Sequence, residues 1–408
     1  MALPIPKVEI GFDVKGANAP FFRLDDPVKS QLDNTTYPLS GTVFYDVTAR
    51  VRSVSVRRGK NRQLDTFDAG LANIVFNNLD RTFDPEYPDS PFAGQIIPRR
   101  AVRISSANQV LFTGTIDDWN LSYSVDGYSE AAAACSDAFS LLNNQVIAAG
   151  TATPQLPGAR ITYVLDQDTV DWPDDKRSIE DGTIGLGADV IEPDTNALQY
   201  LRQVAQSETG QVYIGKQGDL VFSDRNLASN ENFLVFSDEG TGISYQDLKV
   251  VYGSELLYNE VSLTNYLDIT ATAVDTASVG EYGVLTLAQT DLFVEQTSDL
   301  VNLAVLQAKK YANPEYRFES LSVVLDKYEP EQQAQLLALE IGDVVQIKFT
   351  PNGIPPAIEK FNEVIRIDHD ITPEAHIVSF GFSSVENSPW RLSDPVFGRL
   401  SSGNVLSF

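Results

Sequence analysis

Apolar and polar residues alternate with a period of two along most of this chain. Trp119, Leu121, Tyr123 and Val125 are separated by polar positions, as in a strand with one buried face. Asp126-Gly127 follows, a pair suited to a two-residue type I′ turn because both residues tolerate positive φ. That turn would set Val125 opposite Tyr128, Leu121 opposite Ala132 and Trp119 opposite Ala134. A second hairpin is expected from Val212 to Phe222 around Gln217-Gly218, with Tyr213 facing Phe222 and Ile214 facing Val221. In DVTARVRSVSVR the phase breaks. Val47, Ala49 and Val51 share one face, whereas Val54 and Val56 fall on the other. A bulge near Arg52-Ser53 would absorb the extra residue and bend the strand, which suits a barrel better than a flat sheet.

Helical periodicity is rare and short. Over residues 195–209 it brings Ala197, Leu198, Leu201, Val204 and Ala205 to one face. Asp194 or Thr195 is the expected cap, and Gly210 the left-handed residue at the end. A second helix is expected over 299–312, capped by Ser298, with Lys309 and Lys310 at its negative end and Pro314 beyond. Pro330 opens a third, ending near Gly342. The fold class is therefore mainly β with a few short helices, built from antiparallel, barrel-like domains. Organisation is weakest between Ala148 and Pro193, which sets one boundary near Gly150. The Gly240-Thr241-Gly242 stretch sets another. The expected division is 1–149, a barrel-like domain; 150–242, an inserted α+β domain; and 243–408, a second β-rich domain. Residues 341–382 could pack with the first of these. No repeat of 20–50 residues is visible, which disfavours solenoids and propellers.

The length of 408 residues fits two or three domains. Thirty Lys and Arg against 56 Asp and Glu give a formal charge of −26, a surface that repels nucleic acid and anionic membranes. The one cysteine, Cys135, excludes an internal disulfide and a thiolate zinc site. It follows four alanines and reads as a small buried residue. The opening MALPIPKVEIGF lacks a basic segment before an apolar run, so no secretory signal is expected, and assembly in a cytoplasm follows. No run of 18 apolar residues suggests a membrane span.

Candidate chemistry is sparse. His369 and His376 flank DITPEA, and a turn at Thr372-Pro373 could bring the rings together, with Asp368 and Asp370 nearby. A metal there would lack a third ligand pattern. Asp166, Asp168, Asp171, Asp174 and Asp175 crowd ten residues. They lack the glycine and closing glutamate of a calcium loop, and could equally be a solvated acidic loop or paired carboxylates for glycoside hydrolysis. The Gly182, Gly185, Gly187 series is not a phosphate-binding fingerprint. One basic island holds Arg50, Arg52, Arg57, Arg58, Lys60 and Arg62; it reads as a contact with an acidic partner or as a solvated edge. No GxSxG, HExxH or Walker loop is present. No catalytic residue, cofactor site or metal site is assigned.

One long stretch resembles minor tail proteins of siphophages infecting actinobacteria and related hosts. The shared elements are Arg58-Gly59, Asp68-Ala69-Gly70, Asn77-Asn78, Asp84-Pro85 and Phe112-Thr113-Gly114. SETGQVYIGKQGDLVFSDRN, YNEVSLTNY, EYGVLTL, YANPEYRFESLSVVL, LEIGDVVQIKFTP and VIRIDHDITPEAHIVSFGFSSVENSPWRLSDPVFGRL are similar to the rest in order and spacing, so the likeness covers almost the whole chain. The resemblance implies a structural, non-enzymatic baseplate-hub protein at the tail tip. It implies self-association as a ring, usually a trimer, with two similar barrels per subunit as in contractile-tail hubs. Implied partners are the distal tail protein, the tape-measure protein and tip or fibre proteins, with DNA passing through the ring rather than being bound specifically. Carboxylates are then expected on the channel side, since DNA carries one negative charge per roughly 1.7 Å of axis. The competing readings are a distal tail or receptor-binding adaptor and, further off, a carbohydrate-active enzyme using residues 166–175.

Overall fold

A computed structural model describes residues 6–12, 43–125, 127–225 and 233–385. The first part holds β1 (Pro6–Phe12), β2 (Val43–Asp46), β3 (Val51–Gly59), β4 (Leu71–Asn77), β5 (Ala101–Ser106), β6 (Gln109–Tyr123), β7 (Ser129–Ser136) and the short α1 (Phe139–Leu142). The middle part holds β8 (Gly150–Ala152), α2 (Pro157–Leu165), β9 (Arg177–Ile179), β10 (Asp189–Ile191), α3 (Ala197–Glu208), β11 (Gln211–Ile214) and β12 (Leu220–Ser223). Then follow β13 (Val235–Ser237), β14 (Asp247–Gly253), β15 (Glu260–Asn265), β16 (Thr270–Val274), α4 (Thr276–Tyr282), β17 (Thr286–Leu292) and α5 (Thr297–Tyr311). The last are β18 (Glu315–Val324), α6 (Pro330–Ala338), β19 (Val344–Phe349), β20 (Ile358–Ile371) and β21 (His376–Ser384). The fold is mainly β, as the alternation predicts.

One sheet dominates. Its strands run β14-β18-β21-β20-β3-β4-β7-β6-β5-β1-β2, with β19 on β20 and β13 on β19. Strands of the first and last parts of the chain meet in a single ladder among the described residues, β3 against β20, from Gly59↔Arg366 to Val54↔Ile371. The first part coils around a shared core of Val8, Ile10, Ile74, Phe76, Phe112 and Ile116, all fully buried. Bulges help it bend. In β3 the register skips Arg52, pairing Val51 with Phe76 and Ser53 with Val75, as the broken phase predicts. Thr48–Arg50 form a 3-10 turn, so Ala49 precedes the strand rather than lying in it. A smaller sheet, β16-β15-β17, packs under α5 around its own core of Val261, Leu263, Leu300, Leu303 and Ala304.

Both expected hairpins form, but each is shifted by one residue. Leu121 faces Ala131 and Trp119 faces Ala133; Val212 faces Phe222 and Ile214 faces Leu220. The cause is common to the two. Ser124 N–H donates to Tyr128 O at 2.8 Å and Gly127 N–H to Ser124 O at 3.1 Å. Gly215 N–H donates to Asp219 O at 2.8 Å and Gly218 N–H to Gly215 O at 2.9 Å. These are three-residue loops in which glycine is the third residue, at φ 87° in Gly127 and 83° in Gly218, a turn followed by a left-handed residue. Asp126 itself lies outside the described residues. The loop places Ala131 and Ala133, fully buried, beneath Leu121 and Trp119.

The helices also differ in detail from expectation. Asn196 caps α3 by accepting from Gln199 N–H, and Thr209, not Gly210, takes the left-handed conformation at φ 56°. α5 starts at Thr297 with Gln296 at its N-cap and no side-chain cap, so Ser298 lies inside the helix. α6 begins at Pro330 with a capping box between Glu329 and Gln332. Residues 148–193, expected to be weakly organised, contain α2 and three short strands. Ile161, Val164 and Leu165 of α2 are fully buried; nine residues between Pro157 and Asp166 are too few to show a clear period.

Candidate functional site: an acidic groove over the central ladder

Alternate residues of a strand point to opposite faces of its sheet. Around the β3–β20 ladder, one face looks inward and the other opens to solvent. The outer face forms a groove of about 640 Å³ crossing β6, β7, β4, β3, β20 and β21. Its apolar floor includes Leu71, Ala134 and Ile377; Ser55, Asn73 and Ser379 supply neutral polar groups. Asp117 and Asp118 border it on one side, Asp368 and Asp370 on the other, and Arg57 is its only cation. A bulge brings the first two together: the register skips Asp117 between Ile116↔Cys135 and Asp118↔Ala134. Sequence reasoning missed this pair, because strict alternation sends neighbouring residues to opposite faces. Asp117 meets Arg99 at 3.6 Å and Asp368 meets Arg366 at 3.0 Å. Burial pushes the Asp368 carboxyl above its ordinary range, with Arg366 and Arg57 opposing.

The inner face of the same strands carries the two histidines. His369 and His376 are 5% and 0% exposed, and His369 Nδ1 lies 3.2 Å from His376 Nε2. The Thr372-Pro373 turn brings the rings together as the sequence suggests, Ile371 pairing with His376. Asp368 and His369 both line the groove, but as neighbours on β20 they send their side chains to opposite faces. Among the described residues no three His, Cys, Asp or Glu side chains gather as a metal-holding group. Burial depresses both rings, His376 to about 4 and His369 well below its ordinary value, the latter pushed further by His376, Arg58 and Lys216.

The basic island is dispersed by folding. Arg50 pairs with Asp80 at 2.7 Å, Arg52 with Glu130 at 3.1 Å, Arg62 with Glu255 at 3.0 Å, and Arg57 bonds Asn61. Arg58, 4% exposed, pairs with Glu340 at 2.7 Å and donates to Ile214 O at 3.1 Å. Lys60 is buried over the Phe67 ring at 4.8 Å, and burial lowers its ammonium pKa. These cations tie separate segments together rather than forming one patch. In the acidic stretch, Arg177 holds Asp166 at 2.5 Å and Asp174 at 3.3 Å. The glycine series is a pinned loop. Fully buried Glu208 accepts from Ile184 N–H at 2.8 Å and Thr183 Oγ1 at 2.8 Å, and buried Arg160 donates to Gly187 O at 2.7 Å. Cys135 is buried, and burial pushes its thiol pKa up.

The residues that carry the tail-protein resemblance also act structurally. Gly70 N–H donates to buried Asp137 at 2.6 Å, and Phe83 N–H to buried Asn78 at 2.9 Å. Asp84 takes Arg81 at 2.7 Å and the Tyr123 hydroxyl at 3.0 Å. At Gly59, φ is 112° and a Cβ would stand 2.2 Å from Ile365 O, so the β3–β20 ladder closes only on glycine.

No protein-family model and no curated protein matches the sequence. Solved structures do match. The tail protein from Neisseria meningitidis MC58 aligns at TM-score 0.59 and 13% identity, over 85% of this chain and 94% of that one. The 43 kDa tail protein of prophage MuSo2 from Shewanella oneidensis aligns at 0.56 and 12%, over 84% and 94%. An E. coli component of the type VI secretion system, described as similar to the T4 tail proteins gp27 and gp5, aligns at 0.51 and 9%, over 83% and 74%. Such identities speak to architecture alone, and on that level the chain has the fold of phage tail and baseplate-type structural proteins.

Proposed function

We propose that this chain is a structural protein of a long-tailed phage tail tip. In this reading it is a hub subunit whose ring, of three copies, joins the distal tail tube to tip and fibre proteins and surrounds the DNA exit channel. The observation that carries the reading is the fold shared over most of the chain with phage tail proteins. The acidic groove supplies a role for the net charge of −26. Turned toward the channel, Asp117, Asp118, Asp368 and Asp370 would keep passing DNA from adhering, since like charges at close range repel even where salt shortens their reach. The distal tail protein and the tape-measure protein are the neighbours such a ring would meet.

The pairing of Arg50, Arg52, Arg58 and Arg62 within the fold supports a subunit whose cations serve its own structure, Arg57 being the member of the island that lines the groove. Immunogold labelling of phage particles with an antibody to this chain tests the assignment. Label confined to the distal tail end is expected. Label along fibres would support the adaptor reading instead. Absence of label from intact and disrupted virions would overturn both, and clearing of host cell wall by the purified chain would then point to an enzyme.

A further inference from the structure

The chain has two histidines, and folding brings both into one buried contact directly under the ladder that joins its two ends. His369 sits on β20 opposite Val56 of β3; His376 opens β21. A hydrogen bond between two imidazoles needs one N–H and one bare nitrogen. His376 Nδ1 is buried without a partner. The tautomer that leaves no orphaned N–H there has His376 Nε2–H donating to His369 Nδ1.

The surroundings are unfavourable to a further positive charge. From β3 comes Arg58, held by Glu340 beyond α6. From the β11–β12 loop comes Lys216, whose ammonium donates to Ala338 O at 2.6 Å and whose N–H donates to Glu340 at 3.0 Å. On β20 itself, Asp368, paired with Arg366, and Asp370 border the outer groove, and buried Glu363 accepts from Gln211; β21 adds no titratable group besides His376. Both cations are already committed to carboxylates, Arg58 to Glu340 with buried Asp137 nearby and Lys216 to Glu340 with Asp343 beyond, so none of these groups is shown against the rings themselves. A proton on His369 Nδ1 would remove the acceptor and set two N–H groups head to head. A proton on His376 Nδ1 would leave the Nε2–H bond to His369 in place but bury a charge and a new N–H with no acceptor.

We propose that the His369–His376 contact is an acid-released latch on the β3–β20 ladder, closed while both rings are neutral and opened when either takes a proton. The inference stands apart from the tail reading, because it concerns the isolated chain. Global stability is a poor readout, since burial pushes the carboxyl of Asp137 up to about 7 and its protonation acts in the opposite sense.

The test is hydrogen exchange on the purified full chain from pH 8 to pH 4, corrected for intrinsic exchange rates. Peptides covering 54–59, 366–371 and 376–380 are compared with the second core at 261–263 and 300–308. The ladder peptides are expected to lose protection at least tenfold as pH falls, while the second core holds. His369→Asn with His376→Gln keeps an acceptor and a donor in place but cannot ionise, and is expected to abolish the change. Ladder protection unchanged to pH 4 in the wild type would overturn the latch, as would equal acid loss in the double variant. If that variant fails to fold, imidazole proton NMR of the wild type decides. Both rings titrating well below the ordinary histidine range supports the latch, and either titrating near it overturns the latch.

Discussion

The two faces of the β3–β20 ladder are made by alternate residues of the same strands, yet they treat charge in opposite ways. Inside, Arg58 is paired with Glu340, Lys216 is held by α6 carbonyls, and both histidines are buried and neutral. Outside, four carboxylates border a groove containing one arginine. Burial explains the difference. An uncompensated charge in the interior costs several kcal/mol, so each must be paired or neutral, whereas exposed carboxylates are screened and nearly free to stay. The inner set is therefore constrained by folding. In the outer set Asp117 and Asp368 are part-buried and meet Arg99 and Arg366, whereas Asp118 and Asp370 are exposed.

Substitutions can break this contrast, starting with the largest effect. Gly59→Ala forces a Cβ against Ile365 O at a left-handed φ and should cost about 4 kcal/mol in chemical denaturation. Glu340→Ala leaves Arg58 buried and unpaired, at a cost of about 3 kcal/mol by the same measurement. The histidine contribution depends on pH. His376 is depressed from 6.5 to about 4, so the unfolded chain takes up its proton first, and stability present above about 6.5 is lost as pH falls toward 4. Against the His369→Asn/His376→Gln variant, which cancels the Asp137 contribution, the wild type should lose about 2–3 kcal/mol between pH 7 and pH 4. The double variant Asp118→Asn/Asp370→Asn should change stability by no more than about 0.5 kcal/mol. In assembled particles it should slow DNA ejection, measured by dye release in low salt. A stability loss as large as that of Glu340→Ala would collapse the distinction between the two faces.

What the sequence disclosed follows the same division. Period-two alternation exposed the β class, the phase break at Arg52 located a bulge, and the His369–His376 meeting followed from one short turn. Local pattern failed wherever geometry depended on loop length or on distant partners. In both hairpins glycine is the last of three loop residues rather than the second of two, a difference that the dipeptides Asp-Gly and Gln-Gly do not encode. The groove was illegible because a bulge at Asp117 turns two consecutive acids to one side, and because β20 arrives from more than 300 residues away to meet β3. The basic island looked like a patch in one dimension; its partners Asp80, Glu130, Glu255 and Glu340 lie far along the chain.

Electron cryomicroscopy of the distal tail end of the phage would locate the chain in the particle. A ring around the channel is expected, with Asp118 and Asp370 facing the lumen and a negative potential along it. A ring whose groove faces outward, or a lumen that is neutral or basic, would contradict that placement.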